Sequence, residues 1–297
     1  MSLTTTVQDW MRAVGPREAS IATARNHVFA ETSTDTDVIC ATISRDVFFG
    51  VPVRTREANE IPEGSVLTTY DQVRGYYSGR AGAYVVLASA QLKSIATEWY
   101  VFNESAASLR GTGMIGELDA TGKEFVVNSA VLFPTAPDGI RGEVCVTRYP
   151  FDDIVRDTVV TPPPVDDPRT YLPLREMQHC ELLDRVAGAL RDHDAAALRT
   201  ELAQRHTLAV RLDDVDGEQT VRTAETADDA TAALGAMFDS AEDLTLTTRI
   251  ATDWYVFAEY LLRLDGGRVR RLALTHPAAG GVLTGTFGYG RDELTND

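Results

Sequence analysis

The residues best suited to metal or nucleophilic chemistry are five histidines, His27, His179, His193, His206 and His276, and three cysteines, Cys40, Cys145 and Cys180. Their spacing supports neither. There is no HExxH and no CxxC, so no metal site and no disulfide framework are expected. The run GTGMIG at 111–116 follows a strand but leads into more strand, which removes the helix that a dinucleotide loop needs. A P-loop and a GxSxG elbow are absent too, and no cofactor is expected. What is left is acid–base chemistry. His27 and Glu31 stand four residues apart, hence on one face of a helix, as an exposed charge pair or as a positioned acid and base. Glu98 and Asp253 are carboxylates inside a repeated segment, either paired with arginines or buried with a raised pKa.

That repeated segment organises the chain. IATEWYVF at 95–102 returns as IATDWYVF at 250–257, with seven identical residues, and both copies are followed by a glutamate, Glu104 and Glu259. Repeats of this size are too long for a solenoid unit, and each can bury its own core. The spacing therefore predicts two related domains, 1–150 and 174–290, joined by a proline-rich linker at 151–173 and followed by a tail at 291–297.

Composition narrows the function classes. The net charge is -16, with two lysines against 26 arginines and no basic cluster, which disfavours a nucleic-acid or anionic-membrane partner. No apolar run approaches the length of a membrane span, and the start has no basic segment followed by an apolar one, so a cytoplasmic location is expected.

Periodicity predicts helices first in each copy and long strands after them. In the first copy the helices fall over 1–33, interrupted at Pro16, over 38–43, and over 68–79 with Thr69 as N-cap. Strands are expected at 47–53, 84–92, 94–109, 113–118, 124–133 and 142–149. In the second copy helices are expected at 174–190, 195–202 and 228–238, and strands at 207–212, 244–264, 269–275 and 282–288. Helices then a sheet is an α+β arrangement, with the sheet expected to be curved and antiparallel.

The run VAGALRDHDAAALRTELAQRHTLAVRL, followed by a helix and a long Trp-bearing strand, resembles the SnoaL-like branch of the NTF2-like superfamily, the cystatin-like or ketosteroid-isomerase-like fold. HVFAETSTDTDVICATISRDVFFGVPV gives the first copy the same likeness. The resemblance implies two tandem cone domains, each with helices packed on a curved sheet around a pocket for a small, largely apolar ligand. It also implies a pseudo-dimer packed sheet to sheet, with further oligomers open. The family's first-strand carboxylate base falls near Val51 in one copy and Arg211 in the other, and neither can serve as that base. The family's first-helix tyrosine falls near His27 or Phe29, and near Val186. Its dehydratases pair a first-helix Asp with a His, for which His27 with Glu31 is the nearest analogue.

Strand alternation puts Ile95, Thr97, Trp99, Val101 and Asn103 on one face of the repeated segment and Glu98, Tyr100, Phe102 and Glu104 on the other. The isomerase-like alignment assigns the Trp face to the pocket. The expected ligand contacts are therefore Tyr76, Tyr77, Trp99, Val101 and Asn103 in a polar first pocket, and Phe238, Trp254, Tyr260 and His276 in a more apolar second one. His179, His193 and His206 are expected in solvent. Three functions follow: binding of a small apolar or aromatic metabolite; acid–base catalysis of the cyclase, isomerase, dehydratase or epoxide-hydrolase kind; or a scaffold role. A cavity with an ionisable side chain at its floor separates the second from the others.

Overall fold

The computed structural model describes residues 3–50, 66–115, 118–148 and 168–295. Val51 and most of the expected linker lie outside them. The chain forms two compact units, with the main division between Thr161 and Pro162.

The first unit runs α1 (Leu3–Ala30), α2 (Thr36–Cys40), β1 (Ile43–Gly50), β2 (Val66–Leu67), α3 (Tyr70–Ala81), β3 (Tyr84–Ala96), β4 (Tyr100–Gly111), the ribbon β5 (Met114–Ile115) and β6 (Leu118–Asp119), β7 (Glu124–Ala136) and β8 (Gly139–Arg148). The second runs α4 (Pro168–Arg191), α5 (Ala195–Thr200), β9 (Leu202–Asp213), β10 (Gln219–Thr226), α6 (Ala227–Phe238), β11 (Ala241–Ala251), β12 (Tyr255–Leu264), β13 (Arg268–Ala279) and β14 (Val282–Leu294). Their sheet orders are β2-β1-β8-β7-β4-β3 and β10-β9-β14-β13-β12-β11, which are the same order. Each unit is an α+β domain, with helices on one face of a six-stranded sheet.

The sheets are mixed and not purely antiparallel, because β1 runs parallel to β8 and β9 parallel to β14. Register shifts between β3 and β4 and between β7 and β8 are bulges, which increase twist and bend a sheet around its helices. Gly142 allows β1 to lie against β8: a Cβ there would sit 1.9 Å from Phe48 O.

The helix starts follow from side-chain caps. Asp35 accepts from Asp37 N–H and Asp194 from Ala197 N–H, while Thr69 forms a capping box with Gln72 and Thr226 accepts from Asp229 N–H. Two helices differ from expectation. Helix α1 continues through Pro16, and α4 begins at Pro168, a first helical position where the missing N–H costs nothing. Strand β14 continues through the first residues of the expected tail. Strand β10 has no counterpart in the sequence reading, because its TVRTAET run carries no apolar alternation.

The repeated octapeptide is a hairpin and not one strand. Thr97 N–H donates to Tyr100 O at 2.9 Å, and Thr97 Oγ1 accepts from Trp99 N–H and Tyr100 N–H. Thr252, Trp254 and Tyr255 repeat all three contacts. A threonine that can chelate two backbone donors makes a local turn competitive with extended pairing. The turn ends the single alternation. Ile95 pairs with Phe102 and so leaves the face of Val101, whereas Val101, Asn103 and the positions beyond keep theirs. Glu98 is exposed and Asp253 half-buried at the turn tips. The buried carboxylates of the segment are Glu104, beside Lys93, and Glu259, held by Arg271 at 2.8 Å. Tyr100, Phe102, Tyr255 and Phe257, on the face away from the helices, are all fully buried.

Candidate active site

Strand registers put the two units into correspondence residue by residue. Tyr100 pairs with Pro134 as Tyr255 pairs with Pro277, so Phe133 matches His276, Glu143 matches Thr286 and Ser129 matches Leu272. The aspartate caps of α2 and α5 match His27 with Val186, Glu31 with Leu190 and Thr42 with Glu201; the threonine caps of α3 and α6 match Tyr77 with Leu234 and Arg80 with Met237. By this register the counterpart of Val51 is Val210, one residue from the expected Arg211. Val210 lies in the apolar core, and Arg211 is buried on the other face, with Nε 2.7 Å from Asp213 Oδ1. Neither is a carboxylate base.

The first unit contains a cavity of ≈ 190 Å³ between α1, α3 and the sheet. Near Glu143 its wall is Glu31, Tyr76, Arg80 and Phe133; farther along it is Asn103, Val131 and Cys145, then Ser105, Ser129 and Thr147. Ser105 pairs with Ser129 and Ser129 with Thr147, so three small hydroxyls form a row across β4, β7 and β8. Four residues of strand separate Glu143 from Thr147, or about 13 Å.

Behind this wall lies a connected polar group. Tyr77 Oη is 2.8 Å from Glu143 Oε2, 3.1 Å from His27 Nε2 and 3.5 Å from Glu31 Oε1. His27 Nδ1 is 2.7 Å from Thr42 Oγ1, which donates to Ile39 O. The Arg80 guanidinium is ion-paired with Glu31. Tyr77 and His27 are fully buried, and Glu143, which lines the cavity, is 7% exposed.

This environment drives the two carboxyls apart. Burial and then the negative charge of Glu31 push Glu143 up to about 8, against a partial pull back from Arg80 and the Tyr77 hydroxyl. Burial also opposes ionisation of Glu31, but the charge and hydrogen bond of Arg80 outweigh it, and Glu31 is held below the usual carboxylate range. Burial lowers His27 to about 4, so it is neutral, and raises Tyr77 well above its ordinary value. At neutral pH the floor holds one carboxylic acid and one carboxylate. Two titratable groups with divergent pKa values are the usual sign of an acid and a base with separate duties.

His27, Glu31 and Glu143 each offer a ligand atom, all within 4.8 Å of one another. The Arg80 charge and the Tyr77 hydroxyl already engage these atoms, so a cation would have to displace an existing ion pair.

The expected site residues separate into two groups. Glu31, Tyr76 and Asn103 line the cavity; His27 and Tyr77 lie one layer behind it. Trp99 packs edge-on against Tyr100 at 4.7 Å between ring centres, and Val101 belongs to the apolar core. Glu143, Arg80 and Thr42 were missed. The signal for Glu143 is a glutamate inside GEVCVTRY, where apolar residues otherwise alternate with small ones; a charge there needs a reason.

In the second unit the corresponding space is filled. Val186, Leu234, Phe238, Tyr260, Leu262 and Leu272 are packed into one core. Phe238 meets Tyr260 edge-on at 5.3 Å, and Trp254 meets Tyr255 at 4.7 Å. A smaller space of ≈ 140 Å³ lies beside Phe238, Leu190 and Leu198. Contrary to expectation, His179 and His206 are buried. His206 Nε2 is 3.0 Å and His276 Nδ1 2.9 Å from Thr286 Oγ1; His276 Nε2 and Tyr260 Oη are buried without a hydrogen-bond partner.

Burial lowers His206 to about 4 and His276 to about 3. Both folded values lie below the unfolded one, so both groups contribute stability above about pH 6.5 that is lost as pH falls through the folded values. Between about pH 6.5 and 4 the second unit should lose about 1.4 kcal/mol per pH unit for each of the two protons. His276→Phe, which copies Phe133, should halve that slope. Denaturant unfolding across this range measures it, and an unchanged slope would remove His276 from the account.

No family model matches the sequence, and no curated protein matches it. Solved structures similar to it include NTF2-like proteins from Anabaena variabilis (11% identity, TM-score 0.35, covering 45% of this chain and 92% of that one) and from Burkholderia xenovorans LB400 (10%, 0.36, covering 48% and 98%). A protein of ketosteroid isomerase-like fold from Catenulispora acidiphila, in complex with trimethylamine, is 15% identical with TM-score 0.31, covering 40% of this chain and 83% of that one. Among the described residues no helix is long and apolar enough to cross a membrane.

Proposed function

We propose that the first unit is a cofactor-independent acid–base enzyme of the isomerase or lyase type, and that the second is a packed, non-catalytic copy. The observation that carries this is that Glu31 and the buried Glu143 line one cavity with Tyr77 Oη 3.5 Å from the first and 2.8 Å from the second, an arrangement that pushes Glu143 up to about 8 and holds Glu31 down. A pocket that only bound an apolar metabolite would have no use for two buried carboxyls, each costly to desolvate. The second unit builds the same fold with Thr286 and Leu190 in their places.

Glu143 gives its proton to an oxygen of the bound molecule, Tyr77 then turning its own proton to the carboxylate left behind, and Glu31 takes up the proton lost from carbon. That is the proton bookkeeping of enolisation or of water loss from a β-hydroxy carbonyl compound. The cation on the wall, Arg80, is already paired, which favours a neutral substrate. Val131 and Cys145 in the middle of the cavity and the far row of hydroxyls suit an elongated molecule with a second oxygen function roughly 13 Å from the reacting one.

The test is solvent-deuterium uptake at the α-carbon of a panel of neutral ketones of that length, followed by NMR. Exchange should occur with the natural chain and disappear in Ser105→Tyr, which installs the Tyr260 side chain of the second unit across the cavity. Exchange that survives Ser105→Tyr would place the chemistry elsewhere.

A further inference from the structure

The buried chain of hydrogen bonds behind Glu143 has a direction, and the atoms set it. Thr42 has one hydroxyl proton and donates it to Ile39 O, so Thr42 Oγ1 faces His27 as an acceptor. His27 must then carry its proton on Nδ1, which leaves Nε2 a bare lone pair toward Tyr77 Oη. The tyrosine also has one proton. Given to Glu143 Oε2 at 2.8 Å, it stabilises the carboxylate; given instead to His27 Nε2 at 3.1 Å, it leaves the tyrosine oxygen only an acceptor toward Glu143, which must then supply the proton. With Glu143 ionised, Tyr77 would turn its proton to the carboxylate, and two lone pairs would face each other across the 3.1 Å between Tyr77 and His27.

We propose that Thr42 is a positioning residue that, through the tautomer of His27 and the orientation of the Tyr77 hydroxyl, holds the Glu143 carboxyl in its acid form. The inference deepens the acid–base reading and rests on it. The other titratable groups facing Glu143 are Glu31 from α1, Tyr76 and Arg80 from α3, Tyr84 from β3 and Cys145 from its own strand. Of these Glu31 favours the acid form and Arg80 opposes it, and none changes with Thr42. The second unit has Glu201, Val186, Leu234 and Thr286 along the same path, so it keeps none of the chain.

The experiment is an infrared pH titration of the carboxyl band of the full chain, with Glu143→Gln used to assign the band. In the natural chain the acid band should persist to about pH 8. Thr42→Val removes the acceptor at Nδ1, frees His27 to change tautomer and turns the Tyr77 proton toward Glu143. The midpoint should fall by about one unit, tenfold in the protonation equilibrium. Thr42→Ser, which keeps the hydroxyl, should titrate as the natural chain does; Thr42→Ala replaces Thr42→Val if that variant does not fold. An unchanged midpoint in a folded Thr42→Val, or an equal fall in Thr42→Ser, overturns the role of Thr42 alone. A natural-chain band in the ordinary carboxylate range overturns the acid–base reading with it.

Discussion

Glu143→Gln is expected to slow deuterium exchange by about 10² to 10⁴, the usual contribution of a positioned general acid. That is roughly 3–5 kcal/mol on the barrier. Gln keeps the size of the side chain and can still meet Tyr77, so ligand affinity should change little and the loss should fall on turnover. The pH profile gives the sign. An acid near 8 is active below that value, and the rate should fall about tenfold per pH unit above it. A profile that rises through pH 8 would make Glu143 a base, and full turnover in Glu143→Gln would remove it from the chemistry.

Arg80→Met, the residue found at the matching position 237, is expected to cost about 3 kcal/mol at neutral pH. It leaves Glu31 as a largely buried charge with no counter-ion, and breaking such a pair is costly. Both side chains keep about 15% exposure, which places the cost at the lower end of that range. Glu31 now titrates below its unfolded value and contributes stability above it, lost as pH falls through the folded value. In Arg80→Met burial instead raises the Glu31 pKa above its unfolded value, so the difference between variant and natural chain should shrink as pH falls from that raised value through the lowered value of the natural chain. Adding Glu31→Leu, as at Leu190, should restore most of the stability, because the isolated charge goes with its partner. Denaturant unfolding of the four proteins in this cycle decides it; two losses that simply add would show that the ion pair contributes no coupling.

Much of the fold was legible because it rests on local rules. Four helix starts have side-chain caps, and Thr69 was readable as one. The alternation beyond Val101 puts Asn103 on the same face as Val101, the face that lines the cavity, since a strand fixes side by parity. The same rule failed at Thr97, where a side-chain turn inserted a hairpin into what reads as one apolar run.

The site was legible only in part. His27 and Glu31 share a helix face by spacing, but their partners lie far along the chain: Tyr77 is 50 residues from His27, and Glu143 is 66 from Tyr77. Nothing in single-sequence periodicity brings those positions together. His206 and His276 show the same gap, since a strand histidine reads as polar until its neighbours exclude water.

By itself the sequence determined the duplication, the α+β make-up of each copy and the absence of metal and cofactor motifs, all properties of residue type and short spacing. Only the tertiary structure decided that one cone stays open and the other is filled. Ser105 and Ser129 leave space where Tyr260 and Leu272 occupy it, and that difference exists only when β4 and β7, or β12 and β13, face the same helices. It also decided which carboxyl has the raised pKa. Glutamate begins near the same pKa everywhere in a chain, and burial and the charge of Glu31, not identity, raise Glu143 against the opposing pull of Arg80 and the Tyr77 hydroxyl.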